Sequence, residues 1–282
     1  MSYLNINGLV HSDHLECLRS DINLMSSDII CIAETKLCQG ENIDISLNDF
    51  DIVTRMDNEQ GKKSMGMIIY KRKTIEYCDV ISINNPYYQC FVCRISCGTV
   101  CYIYINPKIN IAKLAEIMNM LTPFSKEENF LAVIGDLNIR SEFGIDTSTK
   151  LNEIMNILTN FPYEETFLAV IGDFNIRSEV GINTSTKLMD IFKKLGVKSA
   201  FKCVTHNLDG QLDYVLMRND IQSNKYLAGT FKNLYSDHRS LFLRIPLPEG
   251  EEEDDQEERQ REREREEEED QQVEVQYAEG EV

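Results

Sequence analysis

With 282 residues, 42% of them hydrophobic, the chain is long enough for one large domain, and no run approaches the roughly 18 apolar residues of a membrane span. The net charge of −18 is unevenly held: residues 249–282 carry 18 acidic residues against 4 arginines, a net of −14, leaving about −4 for residues 1–248. The start lacks the basic and apolar regions of a signal peptide and the nine cysteines follow no framework spacing, so a soluble protein of a reducing, intracellular compartment (cytoplasm or nucleus) is expected.

In chain order, residues 2–7 read as a short first strand running into Gly8. Leu15–Leu24 carries apolar residues at helical spacing, and Asp28–Ala33 is a second apolar strand ending in Glu34. Phe50–Arg55, Met65–Tyr70 and Ile75–Ile83 read as further strands, the second after a Gly61–Lys62–Lys63 turn. Cys90, Cys93, Cys97 and Cys101 invite a zinc reading, but YYQCFVCRISCGTVCYIYIN has the pattern of two strands about a Ser96–Cys97–Gly98 turn, followed through Cys101–Ile105. Period-2 alternation sends Cys90 and Cys93 to opposite faces, so small buried thiols are the better reading.

Residues 113–149 and 150–186 repeat each other at a period of 37, with 28 of 37 positions identical. Each unit is a helix, a loop and an apolar run ending in G-D-x-N: FLAVIGDLNIR at Phe130–Arg140 and FLAVIGDFNIR at Phe167–Arg177. An apolar run of that length, stopped by glycine, reads as a buried strand, and polar residues just past it sit at the rim of a sheet, where sites are built. Two copies are too few for a solenoid, so the repeat reads as a tandem duplication inside one domain, residues 1–248. One slot is expected for such a strand. The surplus copy then forms an insertion, displaces a neighbouring helix, or spoils the packing. Ser199–Val204, Leu212–Met217, Tyr226–Phe231 and Ser240–Ile245 complete the strands, and so many strands with few helices argue for stacked sheets covered by helices. Residues 249–282 lack core-forming side chains and read as a disordered acidic tail, solvating or a possible protein contact.

Polar residues gather at the predicted strand ends: Asn5 and Asn7, Glu34, Asp136 with Asn138, Asp173 with Asn175, Asp213, and the pair Asp237–His238. Hydrolysis of a phosphate ester needs oxygen ligands for a hard cation, a general base for water, and a donor to the phosphoryl oxygens whose imidazole is held in orientation. This set supplies each part, the base twice. Singly, each position reads as well as a turn or strand-edge residue; the chemistry rests on the ordered set. His206 in THNLDG reads as a turn residue, with a substrate contact as the alternative, and His11 and His14 as surface positions. Lys62, Lys63, Lys71, Arg72 and Lys73 form a local basic cluster, a solvated hairpin or a backbone-binding edge.

N-x-N-G-L at Asn5–Leu9, A-E-T-K at Ala33–Lys36, G-D-F-N at Gly172–Asn175, L-D-Y at Leu212–Tyr214 and S-D-H at Ser236–His238 follow in that order. Over residues 3–245 the chain thereby resembles the endonuclease/exonuclease/phosphatase superfamily, which includes AP endonucleases, DNase I and retroelement endonucleases. The resemblance implies a DNase I-like α/β (α+β) fold, a four-layer sandwich of two packed mixed β-sheets flanked by helices. It implies a phosphodiesterase dependent on Mg²⁺ (or Mn²⁺), and the terse spacing is most similar to endonuclease domains of transposable elements, which nick DNA. Glu34 would be the principal metal ligand with Asn5 and Asn7 close by, although many relatives carry Asp at the position of Asn7. Asp173 would activate the attacking water and Asn175 would position it. His238 would hold the scissile phosphate, oriented by Asp213, while Asp237 would support the metal or the leaving group. Tyr104 and Asn106 resemble a Tyr and an Asn that some members point at the phosphate. The second copy is favoured, because G-D-F-N is the commoner family form and 40 residues to Asp213 suit a compact member; Asp136 and Asn138 are the alternative. Two rival readings stay open: a phosphatase of a small phosphate ester, and a catalytically dead, duplicated relic that acts as a binding module.

Overall fold

The computed structural model describes residues 1–10, 13–59, 65–96, 98–121, 123–124, 130–138, 169–175, 190, 192–194, 196–207 and 210–245. All fall within Met1–Ile245, one of the two units into which the chain divides. The acidic tail, the helix of the second repeat unit, His11, Lys62 and Lys63 lie outside the described residues.

Among the described residues, thirteen strands form two sheets. The first contains β1 (Ser2–Asn5), β2 (Ile29–Ala33), β3 (Phe50–Met56), β4 (Met67–Arg72), β12 (Leu227–Phe231) and β13 (Ser240–Arg244). Its order is β12-β13-β1-β2-β4-β3, with β1 and β2 parallel and the other pairs antiparallel. The second contains β5 (Tyr77–Asn84), β6 (Tyr88–Ile95), β7 (Gly98–Ile105), β8 (Phe130–Asp136), β9 (Ala169–Asp173), β10 (Val197–Ser199) and β11 (Asp213–Arg218). Its order is β10-β11-β9-β8-β7-β6-β5, and β7, β8 and β9 run parallel.

Central strands such as β2 (IICIA) are buried on both faces, which is why their sequences are apolar without alternation. Cys31 and Ala33 of β2 join Ile134 of β8 and Ile171 of β9 in the core between the sheets. Ile30 and Ile32 turn outward, beneath Leu18 of α1 (His14–Ser20) and Leu24 of α2 (Ile22–Met25). On the far side, Leu114, Ile117 and Leu121 of α3 (Ile111–Leu121) cover Cys90, Cys101, Val133 and Val170, a helical stripe on the outer face of the second sheet. The layers therefore run helix, sheet, sheet, helix, the sandwich that the sequence resemblance implies. Cys90 and Cys93 do fall on opposite faces of β6, and the described cysteines are free thiols.

Two local expectations are corrected. The helix expected over Leu15–Leu24 breaks at Asp21, whose carboxylate accepts from the N–H groups of Asn23 and Leu24 and so starts a second helix. The strand expected over Ser199–Val204 ends at Ser199; beyond it the Thr205 hydroxyl accepts from the N–H groups of Leu212 and Asp213 and ties this loop to the head of β11.

A larger correction concerns the repeat. Both copies enter the sheet, as neighbours: β8 and β9 pair with identical positions opposite, Ala132 to Ala169 through Asp136 to Asp173. Each strand end is shaped to lie against a parallel neighbour. Gly135, at φ +152°, sits so close to β7 that a Cβ would stand 1.8 Å from the Ile103 carbonyl oxygen. Gly172, at φ +151°, repeats this against β8, with a Cβ 1.7 Å from the Gly135 oxygen. The second copy thus meets the first as the first meets β7, and the sheet gains a strand without a new kind of contact.

Candidate active site

In-register pairing sets four polar side chains in a row across the second sheet. Tyr104 ends opposite Asp136, Asp136 opposite Asp173, and Asp173 opposite Asp213, on strands spaced about 4.8 Å apart. All four are buried. Each aspartate of the repeat is followed by an asparagine at positive φ, Asn138 (+42°) and Asn175 (+54°), whose N–H donates back to the carboxylate at 3.1 and 2.7 Å. The two turns are tied together by Asn175 Nδ2 donating to Asn138 Oδ1 at 2.9 Å, and the Tyr104 hydroxyl shares a hydrogen bond with Asn138.

The first sheet and its loops face this row. Asn5 Nδ2, at the end of β1, donates to Asp173 Oδ2 at 3.4 Å. His238 Nδ1 lies 3.1 and 3.0 Å from the Asp213 oxygens, and its Nε2 lies 3.7 Å from Asp173 Oδ2. Ser236 holds this loop in place: its hydroxyl donates to the Asn5 carbonyl at 2.6 Å and accepts from His238 N at 3.0 Å. Burial opposes a charge on the His238 ring, but the Asp213 carboxylate outweighs it and lifts the imidazole to about 10. Burial, then the charge of Asp213, raises the Asp173 carboxyl to about 8 against the opposing pull of His238. Burial, then the charges of Asp173 and Glu34, holds the Asp136 carboxyl well above the carboxylate range.

No family model and no curated protein matches the sequence. Solved structures do match in three dimensions. The AP endonuclease LMAP from Leishmania major superposes with a TM-score of 0.56 at 12% identity, over 88% of this chain and 87% of that one. An AP endonuclease from Archaeoglobus fulgidus gives 0.53 at 12% identity, over 87% and 98% of the two chains. The endonuclease domain of TRAS1, a telomere-specific non-LTR retrotransposon, gives 0.51 at 12% identity, over 87% and 97%. The chain has the DNase I-like fold. At such identity the likeness is one of fold, and the chemistry has to be read from the residues.

Within this DNase I-like frame the residues singled out in the sequence converge at one end of the sandwich, and they divide into two groups. Asp173, Asn175, Asp213, His238 and Asn5 gather about β9 and β11. Tyr104, Asp136 and Asn138 belong to β7 and β8, one strand further over. Asn7 bridges to the loop of Asp237: its Nδ2 donates to both Asp237 oxygens at 3.3 and 3.2 Å, while its Oδ1 accepts from the Lys36 ammonium. Lys36 Nζ also lies 3.5 Å from Glu34 Oε2. Asn106 caps a turn instead of facing the row, donating to the Pro86 carbonyl and accepting from Lys108 N. A cleft of about 590 Å³ opens on the Glu34 and Tyr104 side, with Asn58, Gln89, Asn106 and Lys108 among its walls.

His206, expected as a turn residue in preference to a substrate contact, lies beside Asp237 and His238. Its turn position is as expected, but its Nε2 lies 3.3 Å from Asp237 Oδ2 and its ring stands edge-on to His238, centroids 4.7 Å apart. Burial and the neighbouring His238 hold the His206 imidazole below its ordinary value. Only pairing between residues 32 positions apart creates this contact, through the bridge of His206 to His238. Two members of the basic cluster are engaged elsewhere: Lys71 is buried against Asp51 at 2.8 Å, and Arg72 donates to the carbonyls of Met25 and Ser27. Among the described residues, two sets of side chains have ligand atoms close enough to hold a metal ion, Asp173–Asp213–His238 and His206–Asp237–His238. Among the described residues, no helix is long and apolar enough to cross a membrane.

Proposed function

We propose that this chain is a divalent-cation-dependent phosphodiester hydrolase that nicks the DNA backbone, in the manner of transposable-element endonucleases. The observation that carries the reading is the buried chain Asp213–His238–Asp173 at the sheet rim. Asp213 keeps His238 oriented and charged, so its Nε2–H donates to a phosphoryl oxygen placed against it. Asp173 takes the proton of the attacking water, and Asn175 and Asn5 fix the direction of its carboxylate. Glu34 and Asp237 are the carboxylates at hand for a cation, and the acidic excess at this end fits a hard, oxygen-bound ion. Such an ion, when bound, supplies charge neutralisation on the phosphoryl group. The match to the TRAS1 endonuclease domain supports DNA as the substrate class.

Supercoiled plasmid with purified protein and Mg²⁺ or Mn²⁺ is the direct test. Conversion to the nicked circle, lost in Asp173→Asn and His238→Gln, is expected. Release of inorganic phosphate from small esters without nicking would move the reading to a phosphatase. Inactivity on every phosphodiester tried would end it in favour of a non-catalytic module.

A further inference from the structure

The duplication adds one carboxylate to the row, and that carboxylate differs from the others. The Asp213 oxygens both face His238 Nδ1. Asp173 accepts from Asn175 N–H and from Asn5 Nδ2. Asp237 accepts from Asn7 and faces His206. The amide oxygens are taken too, Asn5 Oδ1 by Asn7 N–H at 3.1 Å and Asn7 Oδ1 by the Lys36 ammonium. Asp136 is fully buried, and while its Oδ1 accepts from Asn138 N–H, its Oδ2 has no hydrogen-bond partner.

A buried carboxylate oxygen without a donor is costly, and among the described residues no ion pair answers this one. The charges that bear most strongly on Asp136 are those of Asp173, Glu34 and Asp213, all negative. Glu34 directly follows β2, the strand that packs over β8. A second unpartnered group, the Tyr3 hydroxyl, lies on the same buried face and feels Asp136 more strongly than the other aspartates. A hard divalent ion needs anionic oxygen and keeps several of its waters, which would give the Tyr3 hydroxyl an acceptor.

We propose that Asp136, through its Oδ2, joins Glu34 in holding the divalent cation, so that the two copies of the repeat divide the work: the first binds the ion and the second handles the water. The division of labour rests on the cation-dependent reading above, but the ligand assignment is measured without catalysis. Mn²⁺ is titrated into the full chain, with free ion read by electron paramagnetic resonance and heat by calorimetry, for wild type, Asp136→Asn and Asp173→Asn. Asp136→Asn keeps the shape and the acceptor for Asn138 N–H, and is expected to weaken Mn²⁺ binding about tenfold or more, while Asp173→Asn loses less. The rise in Tm that Mn²⁺ gives the wild type should vanish in Asp136→Asn, whose metal-free Tm is equal or higher. Should Asp136→Asn fail to fold, Asp136→Ser takes its place. If wild type binds Mn²⁺ and the Asp136 variant binds it equally well, or if Asp173→Asn loses more, the assignment is overturned and the cation reading survives. If wild type binds no Mn²⁺ at millimolar concentration, both fall.

Discussion

At the end of β9, Asp173 stands between Asp136 and Asp213 and within reach of His238; at the end of β8, Asp136 stands between Tyr104 and Asp173 and meets no imidazole. The two ends share the G-D-x-N motif, glycine conformation and Asx turn, and in each the residue after the aspartate donates onward: Leu137 N to Asp173 O at 2.8 Å, Phe174 N to Leu212 O at 3.0 Å. What separates them is the neighbour on one side. Among the residues that differ between the copies, Leu137 and Phe174 mark that boundary. Phe174 packs edge-to-face with Tyr214 and Phe192, at 5.3 and 6.4 Å between centroids, a trio that exists only next to β11. The surroundings of each carboxylate are therefore set by the strand beside it more than by the motif that contains it.

The comparison breaks most sharply in activity. At saturating Mn²⁺, Asp173→Asn is expected to lower the nicking rate on the order of 10³-fold, whereas the loss in Asp136→Asn recovers as Mn²⁺ is raised. Equal losses at saturation would merge the two roles. In stability, Gly172→Ala and Gly135→Ala should each cost about 3 kcal/mol or more by denaturant titration, because the new Cβ meets a neighbouring carbonyl oxygen in a backbone conformation that favours glycine. If one alanine were tolerated, that strand end would not be held as described.

The pH dependence sharpens the electrostatic half. Asp173 and His238 both have folded values above their unfolded ones, about 8 against 3.8 and about 10 against 6.5. Each therefore stabilises the fold at low pH, and the contribution is lost as pH rises, from 3.8 to about 8 for Asp173 and from 6.5 to about 10 for His238. In chelator, Asp173→Asn removes the first of these losses, so its Tm relative to wild type should climb between pH 5 and pH 8.5. A difference that stays flat would place Asp173 outside the buried pair. The smallest effect belongs to the boundary residues. Phe174→Leu should cost about 1–2 kcal/mol, and Leu137→Phe a similar amount through overpacking; a stabilising Leu137→Phe would show that the first copy has room for the aromatic trio.

Much of this was legible in the chain. The apolar runs stopped by glycine, the order Asn5, Glu34, Asp173, Asp213, His238, and the opposite facing of Cys90 and Cys93 follow from period and motif, which are local properties. The His206 contact was not legible, since a turn residue gains an imidazole neighbour only when the loop of residues 236–238 is laid against it. Nor could the basic cluster be judged, because the ion pair of Lys71 depends on which strand lies beside β4.

The sequence by itself determined that polar residues would end buried strands and that one strand would occur twice. Only the tertiary structure decided that both strands are kept, side by side, and which aspartate receives the histidine. Two identical apolar runs carry identical local preferences, and nothing within either says which neighbour it will have; backbone pairing across the sheet, closed by Gly135 and Gly172 and bounded by Phe174, makes that choice.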